Sequence, residues 1–494
     1  MARTSSGVLE KEDRGAVAQP VALVRPGESV EQALYEVRKK IYPRAVHGWF
    51  AASRWAMVWA TQLVFYGLAW LDWNDRQAVL FDIVHRKFYI FGLVFWPQDI
   101  IYLTVLLVIS ALALFLFTAV AGRLWCGYAC PQTVYTEIFM WVERRIEGER
   151  AARLRLDRAP PSARKLALKA AKHGAWIAIA LWTGFSFVGY FTPIRELGAA
   201  VLAAAGLVAQ GPALGPWESF WVLFYGFATY GNAGWMREQV CKYMCPYARF
   251  QSAMFDEDTL IITYDPQRGE PRGARSRSAE RATLALGDCV DCGVCVQVCP
   301  TGIDIREGLQ YECIGCAACI DGCDQVMDRM GYARGLIRYS TTHAIERKLG
   351  RAQMLRRALR PRVLVYCAIL GAIVIAAGAS LWLRVPLKVD VIRDRAAIAR
   401  EVAGGRIENV YRLQIMNTTE TARRFEISVE GLPGIALEGE AAVELAGASA
   451  REVPVRVRVP QEGLERGSHR IHFVVRAPEA QKLAVREKSI FIVR

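Results

Sequence analysis

Twelve of the thirteen cysteines stand in two kinds of motif. Cys289, Cys292, Cys295 and Cys299 follow the spacing C-x2-C-x2-C-x3-C, with Pro300 directly after. Cys313, Cys316, Cys319 and Cys323 repeat it, with Asp324 where the proline would stand. Thiolates at this spacing are the ligand run of bacterial-type ferredoxins that hold two [4Fe–4S] clusters, in which the fourth cysteine of each run binds the other cluster. One cluster is therefore assigned to Cys289, Cys292, Cys295 and Cys323, and the second to Cys299, Cys313, Cys316 and Cys319. A structural zinc site also takes four thiolates. Two copies of the run, each with the added x3-C element, favour iron–sulfur chemistry over zinc.

The second motif is C-x3-C-P. Cys126 and Cys130 precede Pro131, Cys241 and Cys245 precede Pro246, and both copies carry Tyr at the third position. On a helix, residues i and i+4 share a face, so each copy could present two thiols together. Thiolates are soft ligands that select Cu(I), zinc or iron–sulfur clusters. The four cysteines form a candidate soft-metal site; a reversible disulfide and buried structural cysteine are the other two readings. Met244 offers either a thioether ligand or core packing. Cys367 reads as a packed small hydrophobe. His85 and His173 stay open between ligand and ordinary residue. His469 and His472 lie three apart on a strand and face opposite sides, which makes them surface residues rather than a copper pair.

These residues need a scaffold, and 494 residues suffice for several domains. Hydrophobic residues make up 53% and gather in uncharged blocks at 55–71, 100–122, 174–192, 219–236 and 363–383. About 20 apolar residues cross the ~30 Å hydrocarbon layer, so five transmembrane helices are predicted. The shorter run 197–210 reads as an interfacial helix. The first fifty residues are polar, with no apolar stretch of the kind a cleavable signal peptide needs.

Lys and Arg number nine in 1–54, ten in 123–169 and nineteen in 237–362, against three in 73–99 and one in 193–216. The positive-inside rule puts the N-terminus and the cluster domain in the cytoplasm and the C-terminal domain in the periplasm of a bacterial inner membrane. The last 127 residues hold no cysteine, which suits an oxidising compartment. Basic cytoplasmic loops also account for the net charge of +14, and no basic helix interleaved with aromatics points to nucleic acid.

The expected order is a cytoplasmic segment (1–54), a four-helix membrane region carrying both C-x3-C-P motifs (55–262), and the dicluster domain (263–340). A basic linker with the fifth span (341–384) and a periplasmic domain (385–494) follow. A linker rich in Pro, Gly, Ser and Arg at 265–281 leads into the cluster domain, and 341–362 reads as a basic helix feeding the last span. Beyond 384 the pattern turns to period two, clearest at 410–416, 424–429, 454–459, 469–475 and 488–493. About seven short strands suit an immunoglobulin-like β-sandwich.

Several stretches resemble the FixG/CcoG/RdxA family of membrane-bound accessory proteins of cbb-type cytochrome c oxidase. They include Phe91-Gly-Leu-Val-Phe-Trp-Pro-Gln-Asp99, Trp125-Cys-Gly-Tyr-Ala-Cys-Pro-Gln-Thr133 and Trp235-Met-Arg-Glu-Gln-Val-Cys-Lys-Tyr-Met-Cys-Pro246. Gly269-Glu-Pro-Arg-Gly273, Cys299-Pro-Thr-Gly-Ile-Asp-Ile-Arg306 and Gly335-Leu-Ile-Arg-Tyr339 continue the match. The resemblance implies an oxidoreductase that reduces Cu(II) to Cu(I) for oxidase assembly, with copper as substrate or bound ion. It also implies oxidase subunits, copper chaperones or transporters, and a cytoplasmic electron donor as partners, with a homodimer among the open arrangements. Two other classes stay open. One is an electron-relay subunit between a quinol or ferredoxin and a partner reductase; the other is an assembly scaffold with structural clusters.

Overall fold

The structure, a computed structural model, describes residues 40–277, 285–394 and 399–493. Residues 1–39 lie outside the described residues, and with them most of the expected cytoplasmic segment. So do residues 278–284 of the linker.

Helices stand at all five predicted positions: α1 (Trp49–Gly67), α2 (Ile100–Ala121), α3 (Ala163–Val188), α4 (Pro216–Thr229) and α5 (Pro361–Trp382). Among the described residues, two helices are long and apolar enough to cross a membrane: Pro97–Ala121, which is α2 with its leading turn, and α5. The other three fall short for visible reasons. α1 carries Arg54 and Gln62, and the first turns of α3 hold Arg164, Lys165, Lys169 and Lys172. α4 ends after 14 residues, where the backbone widens into π-helical turns over Tyr230–Met236. The short run after α3 forms the helix Ile194–Ala204.

α2 and α5 pack antiparallel. Tyr102 meets Ser380 Oγ at 3.1 Å near one end, and Arg360 donates to the Ala119 carbonyl at 2.7 Å near the other. With 22 residues each, they are about 33 Å long. At the Asp99 end, the carboxylate pairs with Arg384 at 2.7 Å and with Lys388, at the root of the C-terminal domain.

The C-terminal domain is a sandwich of two antiparallel sheets. One runs Ala436–Gly439, Ala450–Pro460, Arg406–Asn417, Leu387–Arg393, with Arg400–Val402 also on Arg406–Asn417; the other runs Ala442–Leu445, Arg423–Glu430, Gly467–Ala477, Ala480–Val493. Nine strands are described where about seven were expected. Alternation places Val453, Val455, Val457 and Val459 against Ile471, Phe473 and Val475 in one core. A small sheet of Val79–Asp82, Lys87–Ile90 and Leu93–Phe95, outside the predicted elements, lies against this domain through Val94, Trp96 and Met416.

At the opposite end of α2, strand Ile261–Tyr264 pairs antiparallel with Ile337–Ser340 and closes the cysteine-rich segment between them. The predicted basic helix over 341–362 is instead broken into Thr342–Glu346 and Arg351–Ala358, with Gly350 capping the second piece and Pro361 opening α5.

Candidate iron–sulfur and thiol centres

Each ferredoxin run bends around a short helix. Gly293, at φ 63°, starts Val294–Val298, which carries Cys295; Cys299 then turns extended ahead of Pro300. Ala317 starts Ala318–Met330, which carries Cys319 and Cys323 one turn apart. The two runs cross. The Cys323 thiol feels the charges of Cys295, Cys292 and Cys289, whereas Cys319 feels those of Cys316, Cys313, Cys299 and Cys295. Five of the thiols line a small cavity walled by Ile262, Ile303, Ile305 and Ile314.

Burial pushes the thiols up: Cys295 and Cys316 to about 11, Cys313 and Cys323 to about 12, and Cys319 well above its usual value. Ionised thiolates in so dry a pocket need positive charge among them. Two all-thiolate sets in apolar surroundings fit two [4Fe–4S] clusters. Among the described residues no three His, Cys, Asp or Glu side chains are gathered to hold one metal ion. Ligands of a cubane bind separate irons and so stand wider apart than the ligands of a single ion.

The C-x3-C-P copies also come near one another, without three of their thiols gathered at single-ion spacing among the described residues. Cys126 feels Cys130 and Cys245, and Cys241 feels Cys130, Cys126 and Cys245. Burial raises Cys126 to about 11 and Cys241 to about 12, and it raises Cys130 too. Gln132 binds the copies together, donating from Nε2 to the carbonyls of Asn232 at 2.9 Å and Arg237 at 3.0 Å. The expected presentation from a single helix is corrected. Cys126 sits in the helix Leu124–Tyr128, but Cys130 is extended and caps Pro131–Glu147. Cys241 lies in the π-helical turn Val240–Met244, and Cys245 is extended ahead of Pro246. A residue before proline is pushed out of the helical region, which breaks each pair across two elements.

These thiols press on the ferredoxin. A Cβ on Gly127 would meet the Gly315 carbonyl oxygen at 2.7 Å and Cys316 Cα at 2.8 Å, so only glycine permits the approach. Cys126 and Cys241 pack against a core of Val298, Ile314, Cys316 and Ala318. Tyr339 donates to the Gly315 carbonyl at 2.6 Å and lies 3.5 Å from the Tyr128 hydroxyl. Arg54 Nη1 donates to the Cys316 carbonyl at 2.5 Å, and Arg123 Nη1 reaches the Cys313 carbonyl at 3.5 Å. Below the motifs, Glu143 is buried and pairs with Arg153 at 3.1 Å and Arg237 at 3.0 Å, which fixes the segment leading to Cys241. Sequence alone assigns no site role to Arg54, Arg123, Glu143 or Tyr339. The only sequence signal was a charge beside or inside an otherwise apolar run, and for Tyr339 its place in a conspicuous motif.

Other candidates resolve individually. Cys367 is exposed on α5 and does not pack into a core as expected; Met244 is also exposed, against its core-packing reading. The His173 ring is 2.9 Å from the Tyr230 hydroxyl and packs edge-on to Trp176. His85 meets Asp82 at 2.7 Å in an exposed turn. His469 donates to the Glu465 carbonyl at 2.8 Å, and His472 points to the face opposite Ile471 and Phe473.

Comparison with known proteins follows the same divisions. A family described as "4Fe-4S dicluster domain" matches residues 236–342, and one described as "4Fe-4S binding domain" matches 103–148. The "IG-like fold at C-terminal of FixG" matches 377–494. The chain is 38% identical over 435 residues to "Nitrogen fixation protein FixG" of Rhizobium meliloti, covering 82% of each chain. It is 39% identical over 426 residues to "Protein RdxA" of Cereibacter sphaeroides, covering 84% of this chain and 88% of that one. A crystal structure of a FixG-related protein from Vibrio parahaemolyticus is 22% identical, covers 22% of this chain and 97% of that chain, and has a TM-score of 0.20.

Proposed function

Because the chain belongs to the FixG family, an iron–sulfur electron-transfer family, we propose that it is a membrane-bound cupric reductase that converts Cu(II) to Cu(I) for assembly of a cbb-type cytochrome c oxidase. Two [4Fe–4S] clusters, when bound, supply single electrons at low potential. In this reading Cys289, Cys292, Cys295 and Cys323 hold one cluster, and Cys299, Cys313, Cys316 and Cys319 hold the other. Cu(II) takes one electron and becomes Cu(I), which Cys126, Cys130, Cys241 and Cys245 retain as soft ligands. Copper as the substrate rests on the family resemblance. The contact of Gly127 with Gly315 and Cys316 carries the reading, since it sets the thiol site directly against a cluster-binding run.

The same reading gives the chain five spans in the inner membrane, with both cysteine sites in the cytoplasm and the sandwich in the periplasm. The lengths of α2 and α5 support this, as do the sandwich contacts at the Asp99 end and the cysteine sites near the other. Its partners are oxidase subunits, copper chaperones or transporters, and a cytoplasmic electron donor.

One observation favours a second reading, an electron relay fed by a membrane quinol. A cavity of about 1510 Å³ runs from Cys316 and Cys241 to Trp59, Leu63 and Trp182. To test the first reading, anaerobically reduced protein would be mixed with Cu(II), and Cu(I) followed with a specific chelator. Wild type should form Cu(I), whereas Cys126→Ser together with Cys130→Ser should keep the iron and lose most of the rate. No Cu(I) from the wild type, together with quinol-driven reduction of the protein, would favour the relay.

A further inference from the structure

Arg54 stands at the N-terminal end of α1, 7% exposed, with Nη1 donating to the carbonyl of Cys316. Its guanidinium cannot lose its proton in a protein, so it brings a permanent positive charge to a dry site. Two acids act on it, Glu137, which also pairs with Arg144 at 3.8 Å, and Asp321. Asp321 is engaged elsewhere, accepting from the backbone N–H groups of Phe50 at 3.3 Å and Ala51 at 2.7 Å. The first ferredoxin run has its own arginines, and Arg275 Nη1 donates to the Cys289 carbonyl at 3.3 Å. Cys292 is exposed, and Arg306 beside Cys295 is neutralised by Asp304 at 2.6 Å and Asp291 at 2.5 Å.

We propose that Arg54 is a positioning residue for electron transfer that raises the reduction potential of the centre bound by Cys299, Cys313, Cys316 and Cys319. The proposal rests on the ligand sets given above. A reduced cluster carries one more negative charge than an oxidised one, and net charge and hydrogen bonding are among the properties that set its potential. A fixed cation in a medium of low effective dielectric favours the reduced form. Burial of this centre pushes the other way, and Arg54 offsets it. Electrons are thereby drawn toward the run that touches Gly127 and the C-x3-C-P thiols.

The test is a redox titration of full-length protein, followed by electron paramagnetic resonance, with no copper present. Arg54→Gln should shift the reduced-to-oxidised ratio of the Cys316-side centre about tenfold toward oxidised, which is ~59 mV for a one-electron couple. Arg54→Lys should restore most of the shift, because it keeps the charge. Glu137→Gln removes an acid acting on the same cation and should move that centre upward. The Cys289-side centre is the internal reference and should not move in any variant. An unmoved Cys316-side potential in Arg54→Gln, equal shifts in both centres, or no rise in Glu137→Gln would overturn the proposal. A wild type lacking two cluster signals would sink the ligand sets as well, so the two failures are distinguishable.

Discussion

The Asp321 carboxylate accepts a hydrogen bond from the Ala51 backbone N–H at 2.7 Å, so a residue of the cluster domain caps the first helix of the membrane region. α1 has no cap of its own: its N-cap is Gly48, and its first turn holds no acid. A carboxylate there satisfies orphan N–H groups and complements the positive end of the helix. Because Asp321 lies between Cys319 and Cys323 on Ala318–Met330, the same contact docks the ferredoxin. Asp321→Ala should cost about 1–2 kcal/mol. Hydrogen exchange in Trp49–Gly67 should rise, while Asp321→Asn, which keeps an acceptor, should lose less. Unchanged exchange in Asp321→Ala would remove the docking role.

The crossed assignment taken from the ferredoxin motif predicts which centre each fourth cysteine serves. Cys299→Ser should damage the centre of Cys313, Cys316 and Cys319 and leave the other intact. Cys323→Ser should do the reverse. Iron and acid-labile sulfide should fall from about eight irons toward about four in each variant, given four irons per cluster. Loss of the Cys289-side spectrum in Cys299→Ser would show that each run serves its own cluster.

Much of this was legible because ligand spacing and apolar runs are local signals. Eight cysteines within one short stretch announce the ferredoxin, and period-two alternation at 454–459 announces a sandwich strand. The duplicated C-x3-C-P copies could be expected to meet. What sequence could not supply was the contact between distant segments. Nothing near Gly127 says that its missing Cβ makes room for Cys316, and nothing near Arg54 says that its partner lies 262 residues away. The helical expectation for each C-x3-C-P pair fails because the following proline pushes the preceding cysteine out of the helical region. The small sheet at Val79–Asp82 escaped because its strands are too short to show a period.

The sandwich should respond to acid through Glu408. The side chain is almost wholly buried on Arg406–Asn417, and it accepts at 2.7 Å from both Arg400 and Arg458. Burial alone would raise its pKa, but the two arginines outweigh that and hold it below its ordinary value of 4.5. A carboxylate lowered on folding adds stability above its unfolded pKa, and that stability is lost as the pH falls through the folded value. Hydrogen exchange of Arg406–Asn417, corrected for intrinsic rate, should therefore accelerate on acidification below about pH 4.5. Glu408→Gln should remove that component and cost about 1–2 kcal/mol at neutral pH, since Arg400 is half-exposed and its pairing is screened. An identical acid response in Glu408→Gln would assign it to other carboxylates.

The four membrane-end cysteines give the sharpest separation between a site and a packing contact. If Cys126, Cys130, Cys241 and Cys245 together hold Cu(I), replacing either pair with serine should abolish tight binding in competition with a Cu(I) chelator. A serine hydroxyl is a hard, neutral donor, and two remaining thiols cannot reproduce the four-sulfur environment. Both cluster spectra and the iron content should survive, because the cluster ligands lie in other segments. Either pair should be as damaging as the other, since each copy would supply two of the four sulfurs. A structural role predicts a different pattern. Serine would then lower the melting temperature through lost packing against Ile314 and Cys316, and copper binding and reduction would stay near wild type. That second pattern would withdraw copper from these cysteines and leave the quinol-fed relay as the better account of the chain.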